Sequence, residues 1–152
     1  MPTSNRAVLE HAEAREQGLL DIGQAATESG VSAKMIRHYE EIGLLRGVPR
    51  TAANYRVYNA QHVHALRFIR RARKLGFPVA EIQALLDLWQ NQRRSSATVK
   101  RIATRHIDAL QARVDELESM LATLRHLVHC CAGDDRPDCP ILDDLEHSPA
   151  EH

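Results

Sequence analysis

The stretch IGQAATESGVSAKMIRHYEEIGLL, residues 22–45, decides how the rest of the chain is read. Ile22, Ala25 and Ala26 precede Gly30, and Val31, Met35, Ile36 and Leu44 follow it, all at helical spacings. Two short helices with a tight turn at SGVS follow from this. Ser32 is placed to cap the second helix, because its side-chain oxygen accepts an orphan N–H at the helix start. The exposed face of that helix then carries Lys34, Arg37, His38 and Glu41, with Tyr39 nearby. Helix, glycine-containing turn and second helix with cations near its start form the helix-turn-helix arrangement, whose second helix can lie in a DNA major groove. Many helical pairs in ordinary proteins share this pattern, so the stretch does not decide function by itself.

The residues that follow, RGVPRTAANYRVYNAQHV (46–63), extend the argument. Val48 and Pro49 break the helix, Asn54 tolerates turn conformations, and Tyr55 to Tyr58 alternate as a short strand does. This predicts a small hairpin, or wing, that projects Arg50, Tyr55 and Arg56 beside the second helix, where phosphate oxygens need donors. One of Tyr55 and Tyr58 is expected to pack the hairpin onto the helices instead. A further helix opens at Asn59 or Ala60 and runs to Lys74, and another restarts after Gly76 and Pro78. From about Ser96 to Val128, Ala103, Ile107, Leu110, Val114, Leu117, Leu121, Leu124 and Val128 are separated alternately by four and three residues, the seam of a coiled coil. So long a bare stripe cannot be hidden against so small a domain, and a second copy of the chain is its expected partner.

Net charge is formally zero, but the total conceals a separation. From Val31 to Leu75 there are ten Lys or Arg against two acids, Glu40 and Glu41; from Cys130 onward there are seven acids against Arg136 alone. A polyanion-binding end and a separate functional end are implied. Residues 1–18 are polar, lack the hydrophobic core of a secretion signal, and carry no assigned function. No apolar run approaches a membrane span, so a cytoplasmic location without membrane association is expected. Thiols there stay reduced, which makes the three cysteines of HCCAGDDRPDCPI (129–141) metal ligands or redox sensors before they are a structural disulfide. Neither a phosphate-binding glycine loop nor a nucleophile with its base is evident, so no enzyme is expected.

The order of these parts resembles the mercury-resistance-regulator (MerR) family and, within it, the copper-efflux branch. Residues 22–45, the wing RTAANYRVY (50–58), the segment RFIRRARKLGFPVAEIQALL (67–86) and the loop CAGDDRPDCPI (131–141) carry the resemblance. It implies a mainly α protein: a winged helix-turn-helix domain, connector helices, a long antiparallel coiled-coil dimerisation helix and a C-terminal metal-binding loop. The corresponding divisions are an N-terminal extension (1–18), the DNA-binding domain (19–58), connector helices (59–94), the dimerisation helix (95–129), the loop with a short helix (130–146) and a tail (147–152). A homodimer would bind double-stranded promoter DNA whose spacer is too long for polymerase, and act on RNA polymerase indirectly by distorting that DNA. The contacts implied by position are Lys34, Arg37 and Tyr39 on the recognition helix and Arg50, Tyr55 and Arg56 in the wing.

Donor chemistry sharpens the metal expectation. Cys131 and Cys139 enclose seven residues that include Gly133 and Pro137, enough slack to bring two sulfurs to one ion. Thiolates without imidazole or carboxylate partners suit Cu(I), with Ag(I) and Au(I) as alternatives, whereas structural zinc normally takes four ligands. Asp134, Asp135 and Asp138 are expected to face water. Two thiolates around a monovalent ion leave a net negative charge that a dry site must offset. The resemblance places Ser96 over the partner's loop, where Ser is typical of monovalent-ion sensors and Cys of divalent-ion sensors. Ser96 would thus withhold a third sulfur while Lys100, one turn later, helps neutralise the pair. Cys130 is a possible auxiliary ligand, and as a third sulfur would suit Cd(II), Pb(II) or Hg(II). Other readings are a redox sensor that joins Cys131 to Cys139, and a helical adaptor whose loop holds structural zinc. His129, His147 and His152 are read as solvated.

Overall fold

The computed structural model describes residues 13–91, 93, 95–131, 133 and 137–147. Most of the N-terminal extension, together with Asp134, Asp135, Arg136 and His152, therefore lies outside the described residues. The chain is mainly helical and falls into two compact units that meet between Val99 and Lys100. Among the described residues no helix is long and apolar enough to cross a membrane.

In the first unit, α1 (Ile22–Ser29) and α2 (Ala33–Glu41) form the helix-turn-helix. Each starts where a side chain answers an orphan N–H. Asp21 Oδ1 accepts from Gln24 N at 2.8 Å while Gln24 Oε1 accepts from Asp21 N at 3.0 Å, a reciprocal capping box. Ser32 Oγ accepts from Met35 N at 3.2 Å, the cap expected from the sequence. Gly30 ends α1 at φ 74°, a left-handed conformation. Its missing Cβ matters a second time, since one built there would lie 3.0 Å from the Arg70 guanidinium carbon.

The wing is smaller than the alternation predicts. A single antiparallel bridge joins Arg50 to Arg56, and another joins Leu20 to Tyr58 through paired 2.8 Å hydrogen bonds. Asn54 turns the hairpin at φ 69°, which Asn accepts more readily than a branched residue. Of the two tyrosines, Tyr58 is the packing one, fully buried, while Tyr55 is exposed. Burial, reinforced by the Glu40 carboxylate, pushes the Tyr58 phenol above its usual range against the opposing pull of Arg56, Arg37 and Arg50.

Next come α3 (Ala60–Lys74) and α4 (Val79–Gln90). A second capping box opens α3: Asn59 Oδ1 accepts from His62 N at 2.9 Å, and His62 Nδ1 accepts from Asn59 N at 3.0 Å. Phe68 of α3 stacks on Trp89 of α4, with centroids 5.6 Å apart. Ile36, Tyr58, Leu66, Ile69 and Ile82 are the largest fully buried side chains, so the core lies where α2, the wing, α3 and α4 converge.

The helix α5 (Ser96–Cys130) starts in the first unit and continues into the second. Along it, the seam residues from Ile107 to Val128 are each between 44 and 62 % exposed in the single chain. The short α6 (Pro140–His147) completes the described chain and buries none of its residues.

Ile36→Ala removes a fully buried branched side chain at the convergence point of the core. It is expected to lower the unfolding free energy by about 2–5 kcal/mol in urea denaturation.

Candidate nucleic-acid interface and thiol loop

Helix α2 presents Lys34, Arg37 and His38 to solvent. Tyr39, expected among the DNA contacts, is 6 % exposed and packs with the core. One turn of a nine-residue helix separates it from Ile36 on the inward side, and its carbonyl accepts from Leu44 N and Leu45 N at 2.9 and 3.0 Å. Tyr39 closes the turn after α2; the residues beside it make the surface.

A single carboxylate ties α2 to the wing. Glu40 Oε2 accepts from Arg56 Nε at 2.6 Å, and Glu40 Oε1 lies 3.6 Å from Arg50 Nη2. These are the two bridged wing residues, so one acid holds both guanidinium groups against the recognition helix. The short Arg56 contact is charge-assisted and partly shielded, which makes it stronger than an exposed pair such as Arg46 with Asp87 at 3.9 Å. Tyr55 is held at the hairpin tip, where Thr51 N donates to its carbonyl at 2.8 Å and its own N–H donates to Thr51 Oγ1 at 3.2 Å.

Cations of α3 enlarge this surface beyond the residues singled out from the sequence. Arg70, Arg73 and Lys74 line an open groove of about 380 Å³ together with Gly30, Val31 and Ser32 at the start of α2. The available signal was the basic run from 70 to 74 in the last turns of α3. Arg67 is committed elsewhere: Nε and Nη2 both donate to the Glu28 carbonyl, at 3.1 and 2.9 Å.

The three cysteines are free thiols. Cys131 N donates to both Leu127 O and Val128 O, at 3.1 and 3.2 Å, so Cys131 terminates the α5 ladder. Cys139 precedes α6, and its carbonyl accepts from Asp143 N at 3.0 Å in the first turn of that helix. Both are half-buried, one at each end of the loop. Cys130 is exposed, with Sγ 3.8 Å from His126 Nε2. Asp138 is exposed as expected, and so are Ser96 and Lys100 in the first turns of α5. No group of three or more His, Cys, Asp or Glu suited to a metal occurs among the described residues.

Two capped helices, a wing locked to the second of them and a long helix with an uncovered apolar stripe define a dimeric helix-turn-helix DNA-binding protein. The pattern described as MerR HTH family regulatory protein matches residues 20–89, and that described as MerR, DNA binding, matches residues 63–127. The chain is 50% identical over 130 residues to heavy metal-dependent transcription regulator 1 of Rhizobium meliloti, covering 85% of this chain and 88% of that one. It is 37% identical over 126 residues to the HTH-type transcriptional regulator CueR of Salmonella typhimurium, covering 83% and 91% respectively. Among solved structures, a lead(II) complex of a transcription regulator from Ralstonia metallidurans is similar with a TM-score of 0.74 and 28% identity over 83% of this chain and 98% of that one. A mercury(II) complex of MerR from Bacillus megaterium has a TM-score of 0.62 and 27% identity over 80% and 94%.

The chain belongs to the MerR family of helix-turn-helix transcriptional regulators. It binds promoter DNA as a dimer and is not an enzyme.

Two outcomes follow from these contacts. Glu40→Ala is expected to lower promoter affinity by about tenfold in fluorescence anisotropy at fixed salt, although it removes a negative charge from a basic surface. A gain in affinity would show that the carboxylate only repels phosphate. Leu117→Asp puts a charge into the centre of the uncovered stripe; sedimentation velocity should then find monomers at concentrations where the parent chain is dimeric.

Proposed function

We propose that this regulator senses Cu(I), with Ag(I) and Au(I) as alternative effectors, through Cys131 and Cys139, and switches on metal-efflux or tolerance genes. The observation that carries the reading is the donor set: two free, half-buried thiols stand at the two ends of one loop, and the third thiol lies against His126. Sulfur donors in low number favour a soft ion. Similarity to CueR at 37% identity and to a heavy metal-dependent regulator at 50% supports metal response in general. Two thiolates and a monovalent ion carry a net negative charge, which the amino end of α6, directly after Cys139, helps to offset. Lys100 supplies a cation for the same purpose, and Ser96 withholds a third sulfur.

In this reading residues 19–58 grip the promoter and residues 59–94 connect. Residues 95–129 pair two chains as an antiparallel coiled coil, and residues 130–146 receive the ion. Lys34 and Arg37 contact DNA from α2, and Arg50, Tyr55 and Arg56 contact it from the wing. Tyr39 is left out because it is buried. Closing the loop joins the end of α5 to the start of α6 and biases the dimer toward a form that bends and untwists the promoter, which acts on RNA polymerase indirectly. The cytoplasm, where thiols stay reduced, is the compartment this chemistry needs.

A second reading is a divalent soft-metal sensor that recruits Cys130; the lead(II) and mercury(II) complexes of the similar regulators favour it. Its weakness is the direction of Cys130, whose sulfur lies beside a helix side chain one turn back.

Transcription in vitro from a promoter with an overlong spacer, at buffered free ion concentrations, decides between the two. Cu(I) is expected to activate the parent chain and the Cys130→Ser variant alike, and to leave a Cys131→Ser/Cys139→Ser variant silent. Ser96→Cys should narrow the preference for Cu(I) over Zn(II). Loss of response in Cys130→Ser would favour the divalent reading.

A further inference from the structure

Cys130 has a partner of its own. His126 and Cys130 lie four residues apart on α5, both exposed, with Sγ and Nε2 separated by 3.8 Å. Zinc bonds sulfur at about 2.3 Å and imidazole nitrogen at about 2.0–2.1 Å, so a tetrahedral angle sets those two donors roughly 3.5 Å apart. The observed spacing corresponds to an angle of about 120° at the same bond lengths, within reach of a small side-chain rotation. Helix geometry fixes this bite, because residues four apart lie one above the other on the same face.

Position on the coiled coil leaves the pair accessible. With Leu124 and Val128 at seam positions d and a, His126 falls at f and Cys130 at c, on the side that faces away from a partner helix. The same geometry separates this pair from the loop thiols. Cys130 is the last residue of α5 and its sulfur lies beside His126, whereas Cys131 is already outside the helix.

We propose that His126 and Cys130 form a second, surface metal site for a borderline divalent cation such as Zn(II), with water in the remaining coordination positions. One thiolate and one neutral imidazole match the intermediate softness of such an ion, in contrast to the all-sulfur donors of the loop. Binding displaces the Cys130 thiol proton to solvent and clamps the last turn of α5, the turn from which the loop departs. The site goes beyond the Cu(I) reading and does not depend on it.

Co(II) is the probe, because a bound thiolate gives a near-ultraviolet charge-transfer band and a tetrahedral ion gives visible bands. The experiment uses the full chain with Cys131→Ser/Cys139→Ser, which removes the loop donors and leaves this pair. One equivalent of Co(II) per chain should bind with both bands and be displaced by Zn(II). Adding His126→Ala or Cys130→Ser should weaken Co(II) binding by roughly tenfold or more, and Cys130→Ser should abolish the charge-transfer band. Circular dichroism checks that the exposed substitutions leave the helix intact. Absence of the band from the Cys131→Ser/Cys139→Ser chain, or an affinity indifferent to His126→Ala, would overturn the proposal. Neither result bears on the Cu(I) response, which is read separately in transcription.

Discussion

A thirty-five-residue helix whose apolar seam the chain does not cover constrains everything else in the molecule. Burying a Leu, Ile or Val side chain contributes about 1.5–3 kcal/mol, and the seam from Ile107 to Val128 leaves seven such residues half-exposed. Alone, α5 is a poor helix for water. Pairing with a second copy, as proposed above, would cover the seam and bring two basic heads to one duplex. The c and f positions of the same helix stay wet, which is why chemistry-bearing residues there face solvent.

Within each head a smaller constraint does comparable work. The segment from Val31 to Leu75 is strongly basic, and unopposed cations would push the wing away from α2. Glu40 sits between them. By pairing with both Arg50 and Arg56 it converts two flexible side chains into a fixed pair of donors, which on the proposed DNA-binding reading places a carboxylate near phosphate. Preorganised arginines lose less rotamer entropy on binding, and that gain opposes the repulsion. The Tyr58 phenol beneath them feels the same field, raised by burial and Glu40 and lowered by the three arginines.

Helix boundaries in this chain are legible because their causes are local. Asp21, Ser32 and Asn59 each cap within three residues, Gly30 ends α1 and Pro78 precedes α4, so no tertiary information is needed to find them. Tyr39 is different. On a helix of two and a half turns, inward and outward faces differ by a single residue, and whether a Tyr packs or projects depends on the loop that folds back over it, here Leu44 and Leu45. Arg70, Arg73 and Lys74 were hidden for the opposite reason: their charge is plain, but only the fold brings the end of α3 beside the start of α2. For the thiols, sequence reveals donor types and spacing. The contact between Cys130 and His126 depends on the helix running two residues past the last seam residue, Val128.

That extension bears on whether three nearby thiols can share one trigonal site. Cys130 and Cys131 are adjacent, but Cys130 is the last residue of α5 and Cys131 has already left it, retaining only its N–H bonds to Leu127 and Val128. If the terminal turn unwinds to bring Cys130 toward the loop, it sacrifices backbone hydrogen bonds and the His126 contact. Each such bond contributes about 0.5–1.5 kcal/mol net, so the helix end imposes a penalty of a few kcal/mol on a three-sulfur geometry. A monovalent ion content with two sulfurs avoids that penalty; a divalent ion that seeks three must overcome it. On the Cu(I) reading proposed above, part of the selectivity would reside in the backbone of α5, a contribution that counting ligands leaves out.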